Sequence, residues 1–214
     1  NDYGTGEKKI SIPPTLLFSL FGDQPDVRFT ATSDLKRAGD KLYLVGTSHD
    51  ELGASEIAFM LKDNGVAEGI GGTPPLLPRP ERNLSTYRAL STAIQNGLIQ
   101  TAHDCSEGGV GIAVAEMCIG GRLGATIDLD GTGHENLWAR LWGESLGRFV
   151  IAVTPEREAE FIRWMSGHTI TFLGEAVSEA TLTINDGFDQ VVSTDVNAMV
   201  SSWQGALDMT GGVE

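Results

Sequence analysis

Only two cysteines, Cys105 and Cys118, occur in the 214 residues, too few for a disulfide framework or a cysteine-rich zinc site. Neither lies in a setting that suggests a glutaminase nucleophile, which needs a strained elbow and a histidine base. Cys118 falls inside an apolar run and reads as a small core residue. The four histidines, 49, 103, 134 and 168, are scattered without a His-x3-His pair, so a zinc centre is not expected. Basic residues are also scarce: 15 Lys and Arg against 29 Asp and Glu leave a formal charge of −14. That argues against a nucleic-acid or anionic-membrane surface, both of which need clustered cations. No apolar run approaches the ~18 residues that span a bilayer, and the polar start of the chain has no signal-peptide core. A soluble protein of the reducing cytoplasm is the expectation. The absence of an initial methionine suggests a chain cut from a longer one. The nucleotide fingerprints GxGxxG and GxxxxGK followed by Ser or Thr are missing as well.

What is present is an alternation of strand-like and helix-like runs. Residues 15–21 and 26–32 read as two strands of a hairpin around the turn formers 22–25. Residues 41–46 form a compact buried strand and 52–62 an amphipathic helix. The segment 64–82, rich in Gly and Pro, reads as an irregular loop more mobile than its neighbours. Asn83 suits an N-cap for a helix that Gly97 closes. Strands follow at 97–102, 124–129, 148–153, 169–177, 181–184 and 190–193, with Asn185-Asp186-Gly187 as a hairpin turn. Helices are expected at 110–119 and 135–142, from Pro155 through Trp164, and from a cap at Thr194 or Asp195 to about 207. This pattern predicts an α/β (α+β) domain with a layered mixed sheet covered by helices.

The chemistry concentrates in 101–124, where a strand passes into a mostly apolar helix through His103-Asp104-Cys105-Ser106-Glu107-Gly108-Gly109. Asp104 offers a carboxylate for a cation and Ser106 a hydroxyl. Gly108 and Gly109 allow close approach to the positive end of the helix. A phosphate carried with magnesium suits such a turn. The same residues also read as a capped helix start, with Asp104 or Ser106 as the cap and Glu107 in the first turn. His103 reads as an acid or base, or as a structural histidine bonded to a loop carbonyl.

Residues 102–124 resemble the A-H-D-x-S-D/E-G-G…A-E-M motif of phosphoribosylformylglycinamidine synthases, the glutamine- and ATP-dependent enzymes of purine synthesis. Lys41 to Gly46 followed by Glu51-Leu-Gly-Ala-Ser-Glu56 resembles that family's strand and E-L-G-G-S-E segment, with Ala54 in place of the second glycine. Residues 143–153 resemble its E-S-x-x-R-F strand. The similarity runs from about 2 to 207 in order and spacing, closer to this synthase than to the relatives that make selenophosphate, thiamine diphosphate or aminoimidazole ribotide.

The resemblance implies the C-terminal domain of the synthase's second half, with the fold of the aminoimidazole-ribotide synthetase superfamily. It implies 1–35 as a lead-in from the preceding half-domain, 36–207 as the domain itself and 208–214 as a frayed tail. By resemblance Asp104 contacts Mg2+ and Ser106 contacts ATP or ADP, beside the Gly108–Gly109 turn that the residues themselves suggest for nucleotide approach; the Glu144–Ser145 pair, with Arg148 of the same motif, matches the substrate-phosphate side. On the residues alone Glu144 also reads as a solvated carboxylate and Arg148 as a surface cation. No catalytic residue is expected in this stretch, because the upstream motif S-G-K-D-S-M-K, whose remainder Asn1-Asp2-Tyr3 resembles, lies outside it. The implied partners are sister domains, including the glutamine amidotransferase part. The competing expectation is a non-catalytic module that packs against such domains.

Overall fold

The computed structural model describes residues 2–3, 10–11, 17–24, 26–63, 72–75 and 80–206. A two-residue antiparallel ladder, β1 (Asp2–Tyr3) with β2 (Ile10–Ser11), stands apart from a seven-stranded sheet. The sheet contains β3 (Lys41–Val45), β4 (Thr101–Asp104), β5 (Gly124–Asp128), β6 (Phe149–Val153), β7 (Ile170–Val177), β8 (Thr181–Asp186) and β9 (Asp189–Asp195). Their order is β4-β6-β3-β7-β5-β8-β9, and every pairing is antiparallel except β5 with β8. The helices are α1 (Glu56–Asp63), α2 (Pro80–Gln95), α3 (Gly109–Gly121), α4 (Leu137–Trp142), α5 (Pro155–Trp164) and α6 (Val196–Gly205). The mixed, helix-covered sheet is the predicted architecture.

Strands β3 and β6 are adjacent interior strands of the sheet and are apolar at every buried position because both of their faces are covered. Leu42, Leu44, Val150 and Ala152 point to one face, where they join Val110, Val114 and Met117 of α3 and Val196 of α6. Tyr43, Val45, Ile151 and Val153 point to the other, against Leu90 of α2 and Phe161 of α5. Each fully buried Leu or Phe contributes about 2 kcal/mol, so this double-sided packing anchors the sheet end that carries Asp104. Helix α3 is apolar nearly all round and correspondingly buried, and Cys118 is one of its core residues. Burial alone pushes the Cys118 thiol up to about 12.

Several expected boundaries move. The run 26–32 is not a hairpin strand: Val27–Phe29 is a 3-10 turn in which the Asp26 carboxylate accepts the Arg28 N–H at 3.0 Å and grips its guanidinium. Local bonds of this kind compete with strand pairing. Residues 17–24 carry no regular structure, and Thr32 instead bridges in parallel to Thr101 at the β4 edge. Helix α1 begins at Glu56 rather than 52, because 52–55 form a turn in which the Ser55 N–H and hydroxyl donate to Leu52 O at 3.2 and 2.7 Å. Helix α2 begins at Pro80, a good first helical residue, so Asn83 lies within the helix and is not its cap. Strand β4 spans Thr101–Asp104 rather than 97–102, since Gly97 turns the chain out of α2 with a φ of 67° and the next residues complete that turn. Of the proline-rich loop, 64–71 and 76–79 lie outside the described residues. Its described part, 72–75, is tied to the turn before α1, with the Thr73 N–H donating to Asp50 O and the Gly53 N–H to Thr73 O, both at 3.0 Å. The tail from 207 also lies outside the described residues.

Candidate functional site

Strand β4 delivers Asp104 to the edge of the sheet as its last residue, paired with Phe149 of β6. Its side chain is 63% exposed and accepts a hydrogen bond from the Ser106 hydroxyl. His103 is held between β4 and α3: Nδ1 lies 2.7 Å from its neighbour's carbonyl, Asp104 O, and Nε2 lies 2.9 Å from the Glu116 carboxylate. That is the structural arrangement, not an acid or base aimed at a ligand. Cys105 is buried, and desolvation pushes its thiol up to about 11, which removes it as a nucleophile.

The helix start differs from both sequence readings in one respect. The N-cap of α3 is Gly108, in the left-handed region at φ 74°, and no side chain caps it, so Asp104 and Ser106 are not caps. The Gly108 N–H donates instead to Glu144 Oε1 at 3.0 Å, and the Gly109 N–H donates to Ser106 O at 3.1 Å. Both amides that were expected to face a ligand thus have partners within the chain. A side chain on Gly109 has no room, since its Cβ would stand 2.4 Å from Gly143 O. The turn and the segment following α4 are in van der Waals contact.

That segment carries the other expected residues. Glu144 is half-buried rather than solvated, and the same Oε1 accepts a second amide, Glu56 N–H at the start of α1, at 2.9 Å. Ser145 is fully buried and its Oγ accepts the His49 N–H at 3.1 Å. Arg148, expected at the surface or toward a phosphate, is 1% exposed. Its Nε donates to Ser145 O at 3.1 Å, Nη1 to Ser48 Oγ at 2.9 Å, and Nη2 to Gly143 O. Burial lowers its pKa, an effect opposed by Cys105, Glu51 and Glu144 nearby. Enclosed by protein, with three of its five N–H groups given to protein acceptors, this guanidinium presents no open face to a ligand phosphate.

Asp104, Ser106 and Glu144 line an open cleft of about 990 Å³ together with Tyr87, Ile94 and Phe149. Tyr87 and Phe149 meet edge to face at 5.7 Å. A lining both polar and aromatic suits a ligand with both charged and flat apolar parts. Sequence reading missed the aromatic lining and the acceptors of Arg148, the Ser48 hydroxyl and the Gly143 and Ser145 carbonyls. Ser48 lies just before the Glu51-Leu-Gly-Ala-Ser-Glu56 segment, and that proximity was the available signal. Among the described residues no group of three or more His, Cys, Asp or Glu could hold a metal. A magnesium ion at Asp104 would have one hard oxygen ligand here and take the rest from phosphate oxygens and water, a donor set that suits this ion.

The sequence over residues 37–187, well over half of the chain, matches the family described as AIR synthase related protein, C-terminal domain. The chain belongs to that family. Among solved structures it is similar to Thermotoga maritima PurL complexed with FGAR (TM-score 0.65, 19% identity, covering 80% of this chain and 29% of that one). PurL of the same organism complexed with ATP is similar too (TM-score 0.61, 18% identity, 80% and 27%). So is E. coli HypE, a hydrogenase maturation protein (TM-score 0.55, 17% identity, 78% and 52%). The likeness is one of fold, and the chain spans less than a third of the length of the PurL chains that it matches. Among the described residues no helix is long and apolar enough to cross a membrane.

Proposed function

We propose that this chain is the C-terminal domain of the second half of a phosphoribosylformylglycinamidine synthase. The parent enzyme joins ammonia from glutamine to formylglycinamide ribonucleotide, with ATP split to ADP and phosphate, in the cytoplasm. The domain contributes one wall of a magnesium–nucleotide site: Asp104 takes the metal and Ser106 faces the nucleotide, beside the Gly108–Gly109 turn whose own amides are bonded within the chain. It supplies no catalytic residue, and alone it is inactive. The observation that carries this reading is Asp104 itself, an exposed carboxylate lining the cleft that caps no helix and, among the described residues, accepts from the Ser106 hydroxyl with the His103 ring 3.7 Å away. The ordered match of the A-H-D, E-L-G-A-S-E and E-S-x-x-R segments, and the ATP and FGAR complexes of structurally similar PurL, support it.

A second reading, a module that only packs against sister domains, is favoured by one feature. Leu17, Phe18, Leu20 and Phe21 form an apolar run with exposures of 77–98%, and such runs normally lie at an interface. The two readings are compatible, and Asp104→Asn separates them. The amide keeps the shape and the bond to Ser106, so stability falls by at most ~1 kcal/mol. The parent protein carrying this change should lose its co-purifying ADP and magnesium. Unchanged nucleotide and metal content in the variant leaves only the packing role.

A further inference from the structure

The segment 143–148 touches the candidate ligand turn in a way that assigns it a different role from ligand contact. Arg148 donates to the carbonyls on either side of Glu144, those of Gly143 and Ser145, and its third nitrogen is fixed by Ser48. The backbone of Arg148 accepts the Cys105 N–H at 3.0 Å, so one buried residue holds both the Asp104–Ser106 turn and the Glu144 backbone. With its flanking carbonyls pinned, Glu144 has its side chain aimed at two helix starts at once, the Gly108 and Glu56 amides. We infer that Arg148 and Glu144 are positioning residues: the buried guanidinium aims the carboxylate, and the carboxylate locks the starts of α1 and α3 together and so sets the shape of the turn that presents Asp104 and Ser106.

The role depends on an oxygen acceptor on a fixed backbone, not on a charge facing a ligand. That separates it from a metal-ligand role, for which Glu and Gln are not equivalent. Only its consequence for binding rests on the proposed nucleotide site; the lock itself is a property of the unliganded chain.

Amide hydrogen exchange resolved by NMR on the whole chain tests it, with wild type, Glu144→Ala, Glu144→Gln and Arg148→Lys. A hydrogen bond to a charged acceptor contributes enough to slow local opening roughly ten- to a hundredfold. Glu144→Ala should therefore speed exchange at Gly108 and Glu56 together by at least about tenfold, while Glu144→Gln, which keeps a neutral acceptor, should speed both by a smaller factor. Arg148→Lys, which touches neither amide, should speed both, with the core amides of Leu44 and Ile151 unchanged. If the lysine variant loosens the core as well, Ser48→Ala, which removes one guanidinium partner, takes its place and should speed the same two amides by a smaller factor. A response at only one of the two amides, or none in the Arg148 and Ser48 variants, overturns the inference. In magnesium–ADP titrations, Glu144→Ala should weaken binding about tenfold and Glu144→Gln should weaken it by a smaller factor; equal losses in both make Glu144 a direct ligand and refute the positioning role. Absence of binding in the wild-type chain, one wall of the site, would leave the nucleotide proposal to the Asp104→Asn parent protein, and the exchange data would still decide this one.

Discussion

Ala54 and Gly53 are neighbours in the turn before α1, and substitutions at the two should move stability in opposite directions. Ala54 has a φ of 62°, left-handed backbone that costs a residue with a Cβ roughly 1–2 kcal/mol. Its methyl group is exposed and loses no packing when removed. Glycine at 54, the residue that the resembled segment has there, relieves the strain but gives the unfolded chain about 0.4–1 kcal/mol of extra freedom. The net expectation for Ala54→Gly is a gain of about 0.5–1 kcal/mol, or a rise of roughly 1–4 °C in Tm for a chain of this size. At Gly53 the obstacle is steric: an added Cβ would lie 2.7 Å from Thr73 C and 2.8 Å from Gly72 O and Pro74 N. All three are backbone atoms that no rotamer change can move. Gly53→Ala should cost about 1–3 kcal/mol. Urea unfolding followed by circular dichroism, with both midpoint and slope compared to wild type, reads both effects. A lowered midpoint in Ala54→Gly together with tolerance of Gly53→Ala would refute the conformation assigned to this turn.

The Arg37 guanidinium, 2.9 Å away, is the main cause that holds the Glu156 carboxyl near pKa 2 instead of 4.5. A carboxyl lowered on folding adds stability above its ordinary pKa and loses it as pH falls from about 4.5 to about 2. Glu156→Gln should thus be less stable than wild type at pH 7 and equal to it at pH 2, by denaturant midpoints at low salt; the pair is exposed, so the difference is small. Cys105 and Cys118, with thiols raised to about 11 and 12 by burial, should stay unlabelled by iodoacetamide at pH 8 until urea unfolds the chain. Rapid native labelling of either would contradict their placement.

The parts of the fold that were legible in the sequence are those in which local chemistry and tertiary packing agree. Residues 41–45 and 149–153 are short apolar runs because both faces are buried, Pro155 opens α5 and Asp195 caps α6 through the Ala198 N–H. The order of the sheet was not legible, because alternation marks which face is buried and not which strand lies alongside. At 26–32 a strand-like composition lost to the bonds of Asp26 with Arg28. The site was half legible: the turn at 104–109 stood out, but the partner of its helix lies 36 residues further on, and a lone glutamate carries no sign of which amides it will meet. Arg148 misled for a related reason, since arginine at a strand start is usually solvated and only the three acceptors assembled around it make burial tolerable.

The two carboxylates that line the cleft have unlike surroundings, and this bears on the order in which a ligand would assemble there. Glu144 spends Oε1 on two amides and is backed by a buried guanidinium, whereas Asp104 is exposed with a single hydroxyl donor. The Arg148 cation is enclosed by protein and the His103 ring beside Asp104 is also bonded to Glu116, while the chain as a whole carries −14. A bare polyphosphate approaching the two carboxylates meets repulsion of about 4 kcal/mol per pair at 4 Å in a partly screened setting. The helix start would normally offset part of that, but the Gly108 amide is already occupied by an anion of the protein's own. On the proposed reading the divalent ion is therefore a condition of nucleotide binding and not an accessory to it, and Asp104 is the carboxylate placed to receive it.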